Sequence, residues 1–152
     1  MRLLLVIALS LSFSPVLQFA AATARAADRN AYRDGLGLVQ KIYVGDMGEE
    51  GEADRFRLLL EEMLSKKGFT IVERPESADA ILSGALSVRV FDNKSEARAF
   101  VRLTTPGGER IWARDFGSRL LTNPFSRTEP VKRRAEEVAN RLREDWRKAG
   151  GK

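Results

Sequence analysis

The chain has 152 residues, with 26 Lys and Arg against 21 Asp and Glu, and contains neither histidine nor cysteine. That composition excludes Ser-His and Cys-His nucleophile pairs, zinc sites of the usual nitrogen and sulfur ligands, a disulfide framework and a lipid-modified cysteine. Carboxylate chemistry remains, but no nucleophile, base and orienting group can be named together. We therefore expect a protein that is not an enzyme and that holds no cofactor or metal.

The N-terminal segment has the pattern of a secretory signal peptide. Arg2 precedes an apolar run at residues 3–13, and Ala24-Arg25-Ala26 fits the A-x-A cleavage rule. The run is shorter than the roughly 18–20 apolar residues of a spanning helix, and serines interrupt it. We expect cleavage after Ala26, no transmembrane span in the mature chain, and a periplasmic or secreted location.

Removing the predicted signal peptide changes the length and the net charge of the chain. Residues 1–26 leave as the signal peptide, residues 27–37 form a flexible leader, and residues 38–150 form a single α/β domain. Because two arginines leave with the signal, 24 basic residues face 21 acidic ones in the mature chain. This near balance, together with export, argues against a nucleic-acid partner.

The first half of the domain is predicted to form a strand–helix–strand unit. Residues 38–47 and 69–73 alternate as strands, and residues 53–67 form a helix with one apolar stripe. Such a unit predicts two parallel strands joined by a crossover. The glycines at 45, 48 and 51 do not have dinucleotide-loop spacing, and the acids around them would repel a phosphate. The order of calcium ligands in an EF-hand is also absent. We expect a flexible acidic loop.

The second half is predicted to form an antiparallel meander and a closing helix. Strands are expected at residues 80–91, 96–105 and 109–117, with turns at 92–94 and 106–108. The last helix is expected at residues 129–148, with its apolar stripe buried. The prediction is an α/β (α+β) fold: a five-stranded mixed sheet in the order 2-1-3-4-5, two helices on one face, and the other face partly open.

Strict alternation along the meander predicts one face rich in arginine and aromatic side chains. The set comprises Arg89, Phe91, Arg98, Phe100, Arg102, Arg110, Trp112, Arg114 and Phe116. Arginine and aromatic residues are enriched at interface hot spots, which suggests a surface that binds a partner. Arginine stems also cover aromatic rings on sheet faces that bind nothing, so both interpretations stand.

Three segments together resemble a recurring bacterial envelope module. They are "KIYVGDM" from residue 41, "FRLLLEEMLSKKGFTIVER" from residue 56 and "ADAILSGALSVRV" from residue 78. The pattern is similar to the N-terminal domain of TolB and to CsgG-like and LpoB-like assembly proteins. The resemblance implies a periplasmic α/β domain that binds envelope proteins or helps to assemble a complex, without catalysis. Channel formation and the Tol role are not implied, because the lipoprotein cysteine, the propeller and the inserted transmembrane hairpin are missing.

These observations predict a non-catalytic exported envelope protein, a binding or assembly module that acts through the Arg/aromatic face. One alternative is that the same face binds a small anionic ligand, such as a glycan or a lipid head group. The other is a homodimer with the open sheet face as its interface.

Overall fold

The computed structural model describes residues 35–49, 51–91, 94–117 and 130–152. The strands are β1 Lys41–Val44, β2 Thr70–Ile71, β3 Ala80–Phe91, β4 Lys94–Thr104 and β5 Arg110–Phe116. The helices are α1 Ala53–Lys66 and α2 Pro130–Lys148, and Pro75–Ser77 form a 3₁₀ turn. The predicted signal peptide and most of the predicted leader lie outside the described residues.

The five strands form one mixed sheet in the order β2-β1-β3-β4-β5, as the sequence predicts. β1 pairs in parallel with both β2 and β3, whereas β3, β4 and β5 pair antiparallel. The helices contact each other and lie on one side of this sheet. The sheet therefore has a helix side and an open side, and the predicted fold class is confirmed.

Helix α1 buries the predicted stripe and ends in a glycine motif. Phe56, Leu60 and Leu64 recur every four residues and are fully buried. The amide of Phe69 donates to the carbonyl of Leu64, and Gly68 has φ +89°. This is the Schellman arrangement, in which a residue in the left-handed region turns the chain sharply out of the helix. The turn delivers Phe69 to the core directly before β2.

Helix α2 closes the domain against the start of β1. Its buried apolar stripe is the predicted one: Val131, Ala135, Val138, Ala139, Leu142 and Trp146. The indole Nε1 of Trp146 donates to the carbonyl of Val39 at 2.7 Å. Residues 35–37 are helical and Leu36 is buried, so these last three residues of the predicted flexible leader belong to the folded domain. The reason is that Leu36 joins the hydrophobic core.

The loop after β1 is also more ordered than predicted. Gly45 donates to the carbonyl of Leu82, and the amides of Gly84 and Leu86 donate to the carbonyls of Asp46 and Met47. These bonds continue the β1–β3 pairing beyond the end of β1. The Asp46 carboxylate accepts from the amide of Gly48, and Met47 is buried. Residues 45–48 therefore follow the edge of β3 and do not form a free acidic loop.

Candidate functional site

The candidate site is the side of the sheet that faces away from α1 and α2, which we call the open sheet face. Register places alternate residues of the three meander strands on this face. They are Ile81, Ser83, Ala85, Ser87 and Arg89 from β3, Glu96, Arg98, Phe100, Arg102 and Thr104 from β4, and Arg110, Ala113 and Asp115 from β5. The residues that pair with Arg98, Phe100 and Arg102 are all short: Ser87, Ala85, Asp115, Ser83 and Ala113.

Phe100 stands at the centre of this face. It pairs with Ala85 on one neighbouring strand and with Asp115 on the other. Neither neighbour can cover an aromatic ring, and Phe100 remains 49% exposed. Arg98 and Arg102 lie two residues away on the same strand, so their side chains flank the ring on the same face. The centre of the face is an exposed apolar ring between two cations.

Both flanking arginines are held by neighbouring side chains. The Nε of Arg98 lies 2.8 Å from a carboxylate oxygen of Glu96, and the Nε of Arg102 donates to the hydroxyl of Ser83 at 3.2 Å. Each guanidinium has further N–H donors beyond its Nε. The open sheet face therefore combines an apolar centre with directed donors and, through Glu96 and Asp115, some negative charge.

The register places the predicted residues of β4 and Arg89 of β3 on the open sheet face and three of the four predicted residues of β5 on the helix side. Arg89, Arg98, Phe100, Arg102 and Arg110 lie on the open sheet face, as predicted. The side chain of Phe91 lies outside the described part of the structure. Trp112, Arg114 and Phe116 were predicted on this face but lie on the helix side, because they pair with the core residues Leu103, Val101 and Ala99.

A β-bulge causes this change of face. Thr104 pairs with Arg110, whereas Leu103 pairs with Trp112, so Ile111 is an extra residue on β5. Ile111 and Trp112 are consecutive and both buried, which strict alternation does not allow. The inserted residue reverses the faces of every later position on the strand. No residue type in the turn at 106–108 signals the bulge, which is why alternation alone missed Ala113 and Asp115.

The displaced β5 residues form a structural cluster with α2. One carboxylate oxygen of Asp145 accepts from the indole Nε1 of Trp112 at 3.0 Å and from the Nη2 of Arg114 at 3.0 Å. Burial raises the pKa of Asp145, but hydrogen bonds from Trp112 and Arg114 and the charge of Arg114 outweigh burial, so the pKa is lowered overall. Arg114 therefore has a local partner and serves to hold α2 against the sheet.

Among the described residues, no helix combines the length and the apolar character needed to cross a membrane. No protein-family model matches the chain, and no curated protein matches it. Solved structures match it at the level of fold.

A DUF4136 family protein from Bacteroides thetaiotaomicron is similar with a TM-score of 0.50 at 11% identity, over 74% of this chain and 91% of that one. TolB from Acinetobacter baumannii gives a TM-score of 0.48 at 11% identity, over 71% of this chain and 28% of TolB. A PelC dodecamer from Paraburkholderia phytofirmans gives 0.47 at 15% identity, over 71% of this chain and 87% of that one. The predicted resemblance to bacterial envelope proteins is confirmed as a likeness of fold.

The residues that carry the resemblance serve the fold. In the segment that begins at residue 78, the Asp79 carboxylate accepts from the backbone amides of Gln40 and Lys41 at 3.0 and 2.8 Å. It therefore holds the start of β1 beside the start of β3. A Cβ on Gly84 would lie 2.1 Å from the carbonyl oxygen of Phe100, so only glycine fits where β3 and β4 approach. This explains why the pattern identifies a fold and no activity.

Proposed function

We propose that this chain is a non-catalytic exported envelope protein that binds another envelope protein through the open sheet face. The observation that carries the proposal is the half-exposed ring of Phe100 between Arg98 and Arg102. Aromatic and arginine residues are the types most enriched at the energetic centres of protein interfaces. The envelope location rests on the predicted signal peptide and on the fold-level likeness to envelope proteins.

The physical gain from covering this face comes from two sources. Full burial of a phenylalanine side chain is worth about 1.5–3 kcal/mol, so covering the exposed half of Phe100 contributes roughly 1 kcal/mol. Arg98 and Arg102 keep N–H groups that can donate hydrogen bonds to a partner carboxylate, and such charge-assisted bonds are stronger than bonds between neutral groups. A partner with an apolar contact flanked by acidic side chains therefore fits this face.

The decisive experiment is charge reversal on the face with a matched control. Arg98→Glu combined with Arg102→Glu is expected to abolish recovery of partners in pull-downs from envelope extracts. The control is Arg55→Glu combined with Lys132→Glu, which reverses two exposed charges on the helices and should leave recovery unchanged. Circular dichroism verifies that both variants are folded. Equal recovery by the two folded variants would remove the open sheet face from the proposal.

Two further measurements separate the alternatives for the same face. Analytical ultracentrifugation of the wild-type protein reports a homodimer directly, and Phe100→Asp would then dissociate it. A thermal-shift screen against anionic glycans and lipid head groups reports a small ligand, because a ligand that binds only the folded state raises the melting temperature. A monomer that recovers a partner and shows no such shift is the result expected from the proposal.

A further inference from the structure

A second charged surface lies on the helix side, away from the open sheet face. It is a cleft of about 630 Å³ between the C-terminal end of α1 and the C-terminal half of α2. Its charged lining residues are Lys66, Lys67, Arg143, Glu144, Arg147 and Lys148. Five of these six are cationic, so the cleft is strongly basic.

Arg143 is fixed in this cleft by stacking. Its guanidinium carbon lies 4.1 Å from the ring centroid of Trp146 and 5.7 Å from that of Phe69. Both rings are buried, and they contact each other edge to face at 5.6 Å. The hydrogen bond from Trp146 to the carbonyl of Val39 fixes the ring under the guanidinium. The platform that orients Arg143 is therefore part of the hydrophobic core.

Contact of the guanidinium with the two rings uses none of its N–H donors, so its edge is available for hydrogen bonds. Within the described residues, no carboxylate pairs with Arg143 and no acceptor takes a hydrogen bond from it. Gly68 lies beside this edge: a Cβ added there would be 3.9 Å from the Nη2 of Arg143. Because Gly68 has no side chain, the terminal nitrogen remains accessible from the cleft. Arg143 is an oriented donor without a protein acceptor among these residues.

The charges around Arg143 are only partly balanced. Lys66 pairs with Glu62, and Lys148 pairs with Glu144 at 2.5 Å. Lys67 and Arg147 have no ion pair among the described residues. Arg143 and Arg147 are four residues apart on one helix, where like charges repel. Helix dipoles favour cations in a last turn, which accounts for Lys66, Arg147 and Lys148. The contact of Arg143 with the two rings has no such explanation.

We propose that this cleft binds a phosphoryl or similar multiply charged anionic group. The edge of the Arg143 guanidinium donates hydrogen bonds to the anion, in the fork geometry that suits phosphate oxygens. Lys67 and Arg147 supply charge from either side, and the bound anion relieves the repulsion between Arg147 and Arg143. The site is separate from the open sheet face, so neither proposal depends on the other. The phosphoryl group has two possible sources, a soluble phosphorylated compound or a phospholipid head group.

The test uses the protein purified after expression of the full chain and inorganic pyrophosphate as the first probe. Isothermal titration calorimetry compares the wild type with Lys67→Gln combined with Arg147→Gln. Losing two charge-assisted contacts is expected to weaken binding about tenfold or more. The matched control, Arg55→Gln combined with Lys132→Gln, removes two exposed cations outside the cleft and should bind as the wild type does. Arg143→Lys keeps the charge but loses the planar fork, and should also weaken binding while the protein remains folded.

Vesicle sedimentation identifies the source of the phosphoryl group. One arm uses vesicles that contain phosphatidylglycerol, and the other uses phosphatidylcholine alone. A soluble ligand is supported if the wild type binds pyrophosphate and the cleft variant does not. A lipid head group is supported if the wild type sediments with the phosphatidylglycerol vesicles but not with phosphatidylcholine, and the cleft variant sediments with neither. Absence of binding both to pyrophosphate and to the phosphatidylglycerol vesicles overturns the proposal. So does equal behaviour of the cleft variant and its control, because binding would then follow total charge.

Discussion

Replacing Gly84 with alanine tests the most constrained point of the sheet. The added Cβ would lie 2.1 Å from the carbonyl oxygen of Phe100 and 3.1 Å from the Cα of Val101. Real Cβ contacts are not closer than about 3.0 Å, so β3 and β4 would have to separate by about 0.9 Å at this pair. β3 cannot easily move away from β4, because on its other side the amide of Gly84 donates to the carbonyl of Asp46 at 3.0 Å.

The expected cost of Gly84→Ala follows from these contacts. Overpacking a tight site costs about 1–3 kcal/mol, and weakening one backbone hydrogen bond adds roughly 1 kcal/mol. We therefore expect the free energy of unfolding to fall by about 2–4 kcal/mol, a large part of the ~5–15 kcal/mol typical of a domain. The melting temperature should fall by roughly 10 °C.

Urea unfolding followed by circular dichroism measures this change, and Gly51→Ala is the matched control. A Cβ on Gly51 meets nothing within 4 Å, and its φ is not in the left-handed region. The same chemical change there should be neutral or stabilising by a few tenths of a kcal/mol, because alanine restricts the unfolded chain. If Gly84→Ala and Gly51→Ala unfold within about 0.5 kcal/mol of each other, the close approach of β3 and β4 is wrong.

Substitutions at three other residues test contacts between distant segments. Asp79→Ala removes the acceptor of the Lys41 amide and should destabilise by about 0.5–1.5 kcal/mol in urea unfolding, whereas Asp79→Asn keeps one acceptor and should cost less. Arg134→Met leaves the buried carbonyl of Ala97 without its two donors and should cost about 2–3 kcal/mol; a change below 0.5 kcal/mol would contradict this contact. The pKa of Asp145 is lower in the folded protein than in the unfolded chain, so ionised Asp145 stabilises the folded state. This contribution is fully present above the unfolded-state pKa near 3.8 and is lost as pH falls through the folded-state pKa. The stability gap between wild type and Asp145→Asn should therefore narrow between pH 5.5 and pH 3, and a constant gap would refute the assignment.

Local patterns in the sequence determined the elements and their order. The apolar stripe of Phe56, Leu59, Leu60, Met63 and Leu64 predicts α1 and the side of it that is buried, because an α-helix repeats every 3.6 residues. Phe56, Leu60 and Leu64 are fully buried, and Leu59 and Met63 are partly buried against the core. The strand–helix–strand order predicts the parallel pairs, and the short turns predict the meander. For Arg98, Phe100 and Arg102, alternation also placed the side chains on the correct face.

Only the tertiary structure decided the contacts between residues distant in sequence. Because Ile111 is an extra residue in the β4–β5 pairing, Trp112, Arg114 and Phe116 lie on the helix side and not on the open sheet face that alternation predicts. Pairing register depends on the partner strand, which the local sequence does not show. Asp79 reaches β1 across 38 residues, and Arg143 of α2 stacks beside Gly68, which follows α1. Such contacts depend on how segments distant in sequence pack against each other, and the local periodicity of the sequence does not specify that packing.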